Sequence, residues 1–156
     1  MTPMGDKTAI GSDHRGFFLK QSIISALGEM GIPVEDMGVF TDEAADYPLL
    51  AKSVSRTVSE KTCARGILIC GSGIGMSIVA NKFPGVRAAL CHTVDSARKS
   101  RLHNDANVLV LGQDVDQDTA KQILKVWFET LFEGGRHQIR LDQIQAIEVE
   151  NFKTTR

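Results

Sequence analysis

Hydrophobic positions along the chain alternate between two rhythms. In residues 16–30, Phe17, Leu19, Ile23, Ile24, Leu27 and Met30 recur at helical spacing, and Gly31 closes the helix. Before it, TAIGS (8–12) reads as a short strand that ends at Asp13. An extended piece follows from Val34 to Met37. DYP (46–48) opens a second helix, with Asp46 or Tyr47 as its cap and Pro48 in its first turn. Leu50, Val54 and Val58 continue that helix at i+4 steps. GILICG (66–71) is an unbroken apolar run, the pattern of a strand buried on both faces. A third helix is predicted over 74–82, a fourth strand at VRAALC (86–91), a helix over 94–103 and a fifth strand at NVLVLG (107–112). From 117 to 133, Ala120, Ile123, Leu124, Trp127, Phe128 and Leu131 form an amphipathic stripe. Gly134 and Gly135 break it, and a last helix over 138–149 carries Ile139, Ile144 and Ile147. The polar tail 151–156 is expected to fray.

Strands that alternate with helices predict one α/β domain over residues 1–156. Its five-stranded parallel sheet is doubly wound and Rossmann-like, with helices on both faces in three αβα layers. Ligands on such sheets bind at the carboxyl ends of the strands, near the switch in strand order. Asp13-His14 and Cys70-Gly71 both fall at such ends. The apolar last helix, after the paired glycines, is expected to pack on a partner subunit.

Composition removes several function classes. With 156 residues, 42% hydrophobic and 24% charged, the chain has the make-up of a soluble globular protein with a proper core. A formal net charge of −1 gives no electrostatic case for nucleic acid or an anionic membrane. No apolar stretch approaches the roughly 18 residues of a membrane span, and the N-terminus lacks the apolar core of a signal peptide. The three cysteines, Cys63, Cys70 and Cys91, form no CxxC pair, which argues against a disulfide framework and a structural zinc site. The expected compartment is the cytoplasm.

The candidate chemistry centres on ILICGSGIGMS (67–77). Small residues after a strand let backbone N–H groups converge on an anion, and the following helix adds its positive end. A dinucleotide fingerprint fails here, because its third glycine would fall at Met76, and no G-K-[ST] of a P-loop is present. The loop at Gly71, Gly73 and Gly75 therefore reads either as an anion or substrate cradle or as a tight strand–helix junction. A buried cysteine is most often just a small apolar residue, and Cys91 and Cys63 fit that description. Cys70 is different: it directly precedes the turn and the helix N-terminus, a field that favours the thiolate. Among the histidines, His14 follows Asp13 at a strand end and His103 ends a helix, whereas His92 has no supporting partner in sequence. Arg136 and Arg140 lie at i and i+4, on one helix face, where two guanidinium groups can hold a phosphate or simply face solvent.

These segments together resemble the type-B ribose-5-phosphate isomerases, which are grouped with the galactose-6-phosphate isomerases. The resemblance rests on SDHRGFFLK (12–20), DYP (46–48), GILICGSGIGMSIVANK (66–82), GVRAALC (85–91), SRLHNDANVLVLG (100–112) and EGGRHQIR (133–140), in order and without large gaps. It implies a cofactor-free and metal-free aldose–ketose isomerase acting on a small sugar phosphate, chiefly ribose 5-phosphate to ribulose 5-phosphate. It also implies a homodimer or homotetramer with sites shared between subunits. By the same resemblance Cys70 is the base that moves the proton between C1 and C2, with Ser72 as its hydroxyl partner. Some relatives place a carboxylate where this chain has Met76, so the cysteine version applies. Gly71 and Gly75, with the N–H groups of their neighbours, bind the enediolate oxygen, and Gly73 is a substrate-binding residue of the same loop. His103 opens the furanose ring; Asp13, His14, Tyr47 and Asn104 hold hydroxyls or help open the ring; Arg136 and Arg140 hold the phosphate. One departure stands out: relatives often carry an arginine where this chain has Asp114, and an acid near a phosphate is repulsive. Arg15 or another cation compensates, the loop points away, or the sugar differs. Allose 6-phosphate, galactose 6-phosphate or a tetrose phosphate are alternative substrates, and a non-catalytic sugar-phosphate binder is a further alternative.

Overall fold

In the computed structural model, which describes residues 6–152, the elements follow one another as β1 (Thr8–Ser12), α1 (Phe17–Glu29), β2 (Val34–Asp36), α2 (Tyr47–Ser59), β3 (Arg65–Cys70), α3 (Ile74–Ala80), β4 (Ala88–Leu90), α4 (Val94–Asn104), β5 (Val108–Gly112), α5 (Gln117–Glu129) and α6 (Arg136–Asn151). The strands form one five-stranded sheet in the order β2-β1-β3-β5-β4, and every pairing is parallel. From β1 the chain steps outward to β2, then returns across β1 to β3. The switch point therefore lies between the carboxyl ends of β1 and β3.

Strand side chains alternate between the two faces, and this decides what Cys70 touches. Ile67 and Ile69 join Ile10, Leu109 and Leu111 on one face, where α1 supplies Leu19, Ile23 and Leu27 and α5 supplies Ile123, Leu124 and Trp127. Leu68 and Cys70 join Ala9, Val108 and Val110 on the other, under Ala51, Val54 and Val58 of α2 and Met76 and Ala80 of α3. Each large aliphatic side chain so buried contributes about 1.5–3 kcal/mol relative to exposure. The strand period thus delivers the thiol to the face that α3 covers.

A buried lysine secures the loop that leads to α2. Lys20 of α1 has no solvent exposure, and its Nζ lies 2.6 Å from Asp36 Oδ1 and 2.5 Å from the Val39 carbonyl oxygen. The rings of Phe17 and Phe40 flank the ammonium at 5.8 and 5.3 Å. Its charge is met by a carboxylate, a carbonyl and two aromatic rings, which is what a buried cation requires.

Some boundaries differ from the sequence expectation. The fourth strand keeps only Ala88–Leu90 in the ladder, because the Arg87 N–H is taken by Asn107 Oδ1 and β4 is an edge strand. α5 stops at Glu129: Thr130 is extended, and the chain folds back so that the Glu133 N–H meets the Leu102 carbonyl. Leu131, assigned to the apolar stripe from sequence, is 79% exposed as a result. α6 begins at Arg136, directly after two glycines with positive φ, and continues to Asn151. The fraying expected for 151–156 falls largely on residues 153–156, which lie outside the described residues. Among the described residues no helix is long and apolar enough to cross a membrane.

Candidate active site

The carboxyl ends of β1 and β3 open into a cleft of about 880 Å³ whose lining includes Asp13, His14, Arg15, Tyr47, Cys70, Gly71, Ser72 and Gly75. Each of these is positioned by an identifiable local device. Asp13, only 6% exposed, uses Oδ1 to accept the N–H groups of Arg15 at 3.0 Å and Gly16 at 3.1 Å, which fixes the turn into α1. Gly16 is required by close approach, since a Cβ there would stand 2.8 Å from the Ile69 carbonyl oxygen. His14 Nδ1 accepts the Ala45 N–H at 3.2 Å, so the neutral ring carries its proton on Nε2. Tyr47 opens α2, next to Pro48 in the first turn, with Asp46 at the N-cap position making no side-chain cap bond.

Around Cys70 the chain closes tightly. Its Sγ accepts the Gly73 N–H at 3.2 Å, and Ser72 Oγ accepts the Ile74 N–H at 3.2 Å. The Gln113 N–H donates to the Cys70 carbonyl at 2.9 Å and to that of Gly71 at 3.2 Å, tying the loop to the end of β5. Gly73 has φ +80°, a left-handed conformation that suits glycine, and a Cβ there would lie 3.1 Å from the Leu111 carbonyl carbon. With Gly73 and Ile74 committed to Cys70 and Ser72, the next N–H groups belong to Gly75 and Met76, and helix geometry gives them no intrahelical acceptor. Gly75 lies directly under the Tyr47 ring, and a Cβ on it would stand 2.7 Å from the phenolic oxygen. The Met76 side chain is fully buried in the core between α2, α3 and the sheet.

The other two cysteines show what a packing thiol looks like. Cys63 and Cys91 are each 1% exposed, and burial pushes both thiols above the ordinary cysteine range. Cys63 Sγ lies 3.7 Å from Glu35 Oε2, whose negative charge raises it further, and Cys91 Sγ lies 3.6 Å from the Ala89 carbonyl. Of the three, Cys70 alone lines the cleft and receives a backbone N–H.

Arg15 and Asp114 both lie close to the Gly71–Ser72 loop. The Arg15 side chain lies over Gly71, where a Cβ would be 3.0 Å from Nη1, and Arg15 lines the cleft. Asp114 folds over Gly112, where a Cβ would be 2.6 Å from Oδ1 and 3.1 Å from the Ser72 carbonyl, without lining the cleft. Of the alternatives the sequence left open, two have a geometric basis: a cation, Arg15, stands at the loop inside the cleft, and the Asp114 carboxylate lies outside the lining.

The remaining sequence candidates lie elsewhere. None of His103, Asn104, Arg136 and Arg140 lines the cleft. His103 and Asn104 end α4, in a turn held by Arg101, whose Nη1 lies 2.9 Å from Asp105 Oδ1. The His103 ring stacks on His137 of α6, with centroids 4.4 Å apart and planes 14° from parallel. Burial, then the charge of His103, holds the His137 imidazole below its usual range, while Glu133 works the other way. Arg136 and Arg140 are exposed on α6, a sixteen-residue helix in which His137 is the one buried residue. Ile139, Ile144, Ile147 and Val149 of that helix are 46–67% exposed. Sequence reasoning passed over His137, Glu133 and Lys20. The motif EGGRH held the first two, but their meeting with His103 depends on the return of the chain after α5.

Comparison with known proteins bears on both halves. Residues 8–144 match the model of a family described as Ribose/Galactose Isomerase. The chain is 48% identical over 143 residues to Ribose-5-phosphate isomerase B of Escherichia coli (strain K12), covering 91% of this chain and 96% of that protein. It is 40% identical over 142 residues to D-erythrulose-4-phosphate isomerase of Pectobacterium atrosepticum, covering 90% and 93% respectively. The solved structure of Clostridium thermocellum Ribose-5-Phosphate Isomerase B superposes with a TM-score of 0.90 at 46% identity, covering 92% of this chain and 98% of that one.

Proposed function

The chain belongs to the ribose/galactose isomerase family, and from that membership we propose that it interconverts ribose 5-phosphate and ribulose 5-phosphate by proton transfer through an enediolate. The observation that carries the reading is the pairing, in one cleft, of the Cys70 thiol with a helix turn whose Gly75 N–H lacks an intrahelical acceptor. In the forward direction the Cys70 thiolate takes the proton from C2. The C1 carbonyl oxygen gains the charge and accepts the backbone N–H groups; the O2 hydroxyl proton then passes to O1 and Cys70 returns its proton to C1, which leaves the carbonyl at C2. A preorganised donor aimed at developing charge is typically worth about 10²–10³ in rate. Ser72 supplies the hydroxyl next to the base. Met76, apolar and buried, leaves no competing carboxylate at that position. Asp13, His14 and Tyr47 hold sugar hydroxyls, and Arg15 adds a positive charge at Gly71.

His103 opens the furanose ring, Asn104 assists, and Arg136 and Arg140 hold the phosphate. Their distance from the cleft in one chain supports a site completed by a second copy. The apolar residues exposed along α6 support the same partner, in a homodimer or a pair of dimers. The expected compartment is the cytoplasm. A second reading keeps the chemistry and changes the sugar. The Asp114 carboxylate beside the Gly71–Ser72 loop favours it, because it disfavours a phosphate brought to that side. Tetrose and hexose phosphates are the candidates.

The test is turnover of ribose 5-phosphate, with EDTA present, by wild type and Cys70→Ala. Loss of about 10²–10⁴ in kcat, the usual range for removing a general base, in a mutant with unchanged circular dichroism supports the thiol mechanism. A wild type inactive on pentose, hexose and tetrose phosphates overturns the isomerase reading.

A further inference from the structure

The corner where α4 meets the start of α6 gathers metal-ligating side chains from separate parts of the chain. His103 belongs to the last turn of α4, Glu133 to the connection after α5, and His137 to the first turn of α6. One ligand atom from each lies within 4.8 Å of the others. The backbone fixes this meeting, since the Glu133 N–H donates to the Leu102 carbonyl at 3.0 Å. A second observation points to a ligand. His137 is 6% exposed, and its Nε2 is buried with no hydrogen-bond partner, 3.9 Å from Glu133 Oε1. A buried polar nitrogen without a partner is costly, and a cation on its lone pair removes the deficit.

We propose that His103, Glu133 and His137 form a binding site for one divalent ion of the zinc class, and that the bound ion inhibits the enzyme by occupying a His103 ring nitrogen. The binding stands on the geometry alone; the inhibition rests on the proposed role of His103 in ring opening. Two imidazoles and one carboxylate are a common three-ligand set for zinc, with a fourth position open to water. Metal–ligand distances of about 2.0–2.2 Å bring tetrahedral donors to about 3.3–3.6 Å from one another, so the three atoms need to close by at most about 1.5 Å. The rings stack nearly in parallel, so closing the site requires them to turn about χ2 until their nitrogen edges converge. Arg136 and Arg140, on the same helix, oppose a cation and Glu133 answers one of them. The donor set therefore selects ions that bind imidazole strongly, and calcium and magnesium, which want oxygen ligands, are excluded.

The experiment is titration of the metal-free protein with Co²⁺, read by its visible spectrum, followed by displacement with Zn²⁺ and Mg²⁺. Expected is one Co²⁺ per chain with ligand-field bands, no sulfur-to-cobalt charge transfer, and the same spectrum in Cys70→Ala. Zn²⁺ displaces it and Mg²⁺ does not. Glu133→Gln, an exposed position that leaves folding untouched, and His137→Gln each weaken binding at least about tenfold, in line with the cost of disturbing a metal's ligand environment. A sulfur-to-cobalt band that disappears in Cys70→Ala, or affinity unchanged in Glu133→Gln, overturns the site. In turnover of ribose 5-phosphate, Zn²⁺ slows wild type and spares Glu133→Gln, whose metal-free rate is that of wild type. A chain that turns over no sugar phosphate removes the functional reading, and the cobalt spectra still decide the metal site.

Discussion

The cleft at Cys70 and the histidine corner at the end of α4 are built by opposite means. In the cleft several polar groups are committed at short range. Asp13 accepts two backbone N–H groups, His14 Nδ1 accepts one, Cys70 Sγ and Ser72 Oγ each accept one, and Gln113 ties the loop to β5. The sheet imposes that order, because β3 pairs with β1 on one side and β5 on the other, and its alternation points the thiol at α3. The corner has the reverse character. His137 Nε2 is buried without a partner, Arg136 and Arg140 stand in solvent, and α6 exposes a row of isoleucines. One region holds its side chains by short-range bonds, and the other leaves a buried nitrogen and several apolar side chains without partners in the chain. Proton transfer demands atoms fixed to a fraction of an ångström, whereas holding a phosphate asks mainly for charge at the right distance. On the proposed reading the first task falls to a loop held by the central strands, and the second to a helix whose isoleucines are exposed in the single chain.

The contrast can be broken from the cleft side by one methyl group. Gly75→Ala puts a Cβ against the Tyr47 phenol, displacing the ring or the helix turn. A misplacement of about 1 Å costs on the order of 10²-fold in rate, so kcat/KM is expected to fall by about that factor while the fold persists; steady-state kinetics and circular dichroism measure the two. From the corner side, Arg140→Ala touches an exposed residue and leaves stability unchanged. It raises KM about tenfold, the worth of roughly 1.4 kcal/mol of lost binding, with a smaller change in kcat, and the effect shrinks as salt is raised. An equal loss in both kcat and kcat/KM would instead place Arg140 at the reacting atoms.

The smallest perturbation distinguishes the three thiols. Burial raises Cys63 and Cys91 above the ordinary cysteine range, so at neutral pH they hold even less thiolate than a free cysteine. Brief iodoacetamide treatment of the folded protein is expected to label Cys70 first, with sugar phosphate slowing the reaction. Peptide mass mapping checks it, and equal labelling of all three would remove the distinction drawn between a site thiol and packing thiols. In each buried thiol the raised value favours the folded state below about pH 8.5, the unfolded cysteine value, and that contribution declines as pH climbs past it.

The cleft was legible in the sequence because its parts are local: a strand end, three glycines and a helix start within a dozen residues. The period of GILICG and the turn after it carry Cys70, Ser72 and the glycines to one place with little help from tertiary structure. The strand order was less legible. Nothing in NVLVLG says that β5 lies between β3 and β4, since a buried apolar run suits any central position. The corner was the least legible. The stripe from Ala120 to Leu131 suggested a longer α5, and only the backbone return at Thr130 and Glu133, with Gly134 and Gly135 at positive φ, brings EGGRH beside His103. Glu133 and His137 meet His103 across about thirty residues of chain, and no local pattern records such a contact. Lys20 was missed for a related reason: a lysine in an amphipathic helix reads as surface until Asp36 and the Val39 carbonyl are seen around it.

In the proposed enzyme the cleft and the corner are two parts of one site, contributed by two copies of the chain. The direct test mixes two inactive variants, Cys70→Ala and the double variant Arg136→Ala/Arg140→Ala, by unfolding and refolding them together. A shared site predicts that turnover of ribose 5-phosphate returns to roughly a quarter of wild type. Random pairing makes half the dimers mixed, and each mixed dimer has one intact site of two. If the mixture stays as inactive as its parts while mixed dimers demonstrably form, each site is made by one chain and the account is wrong.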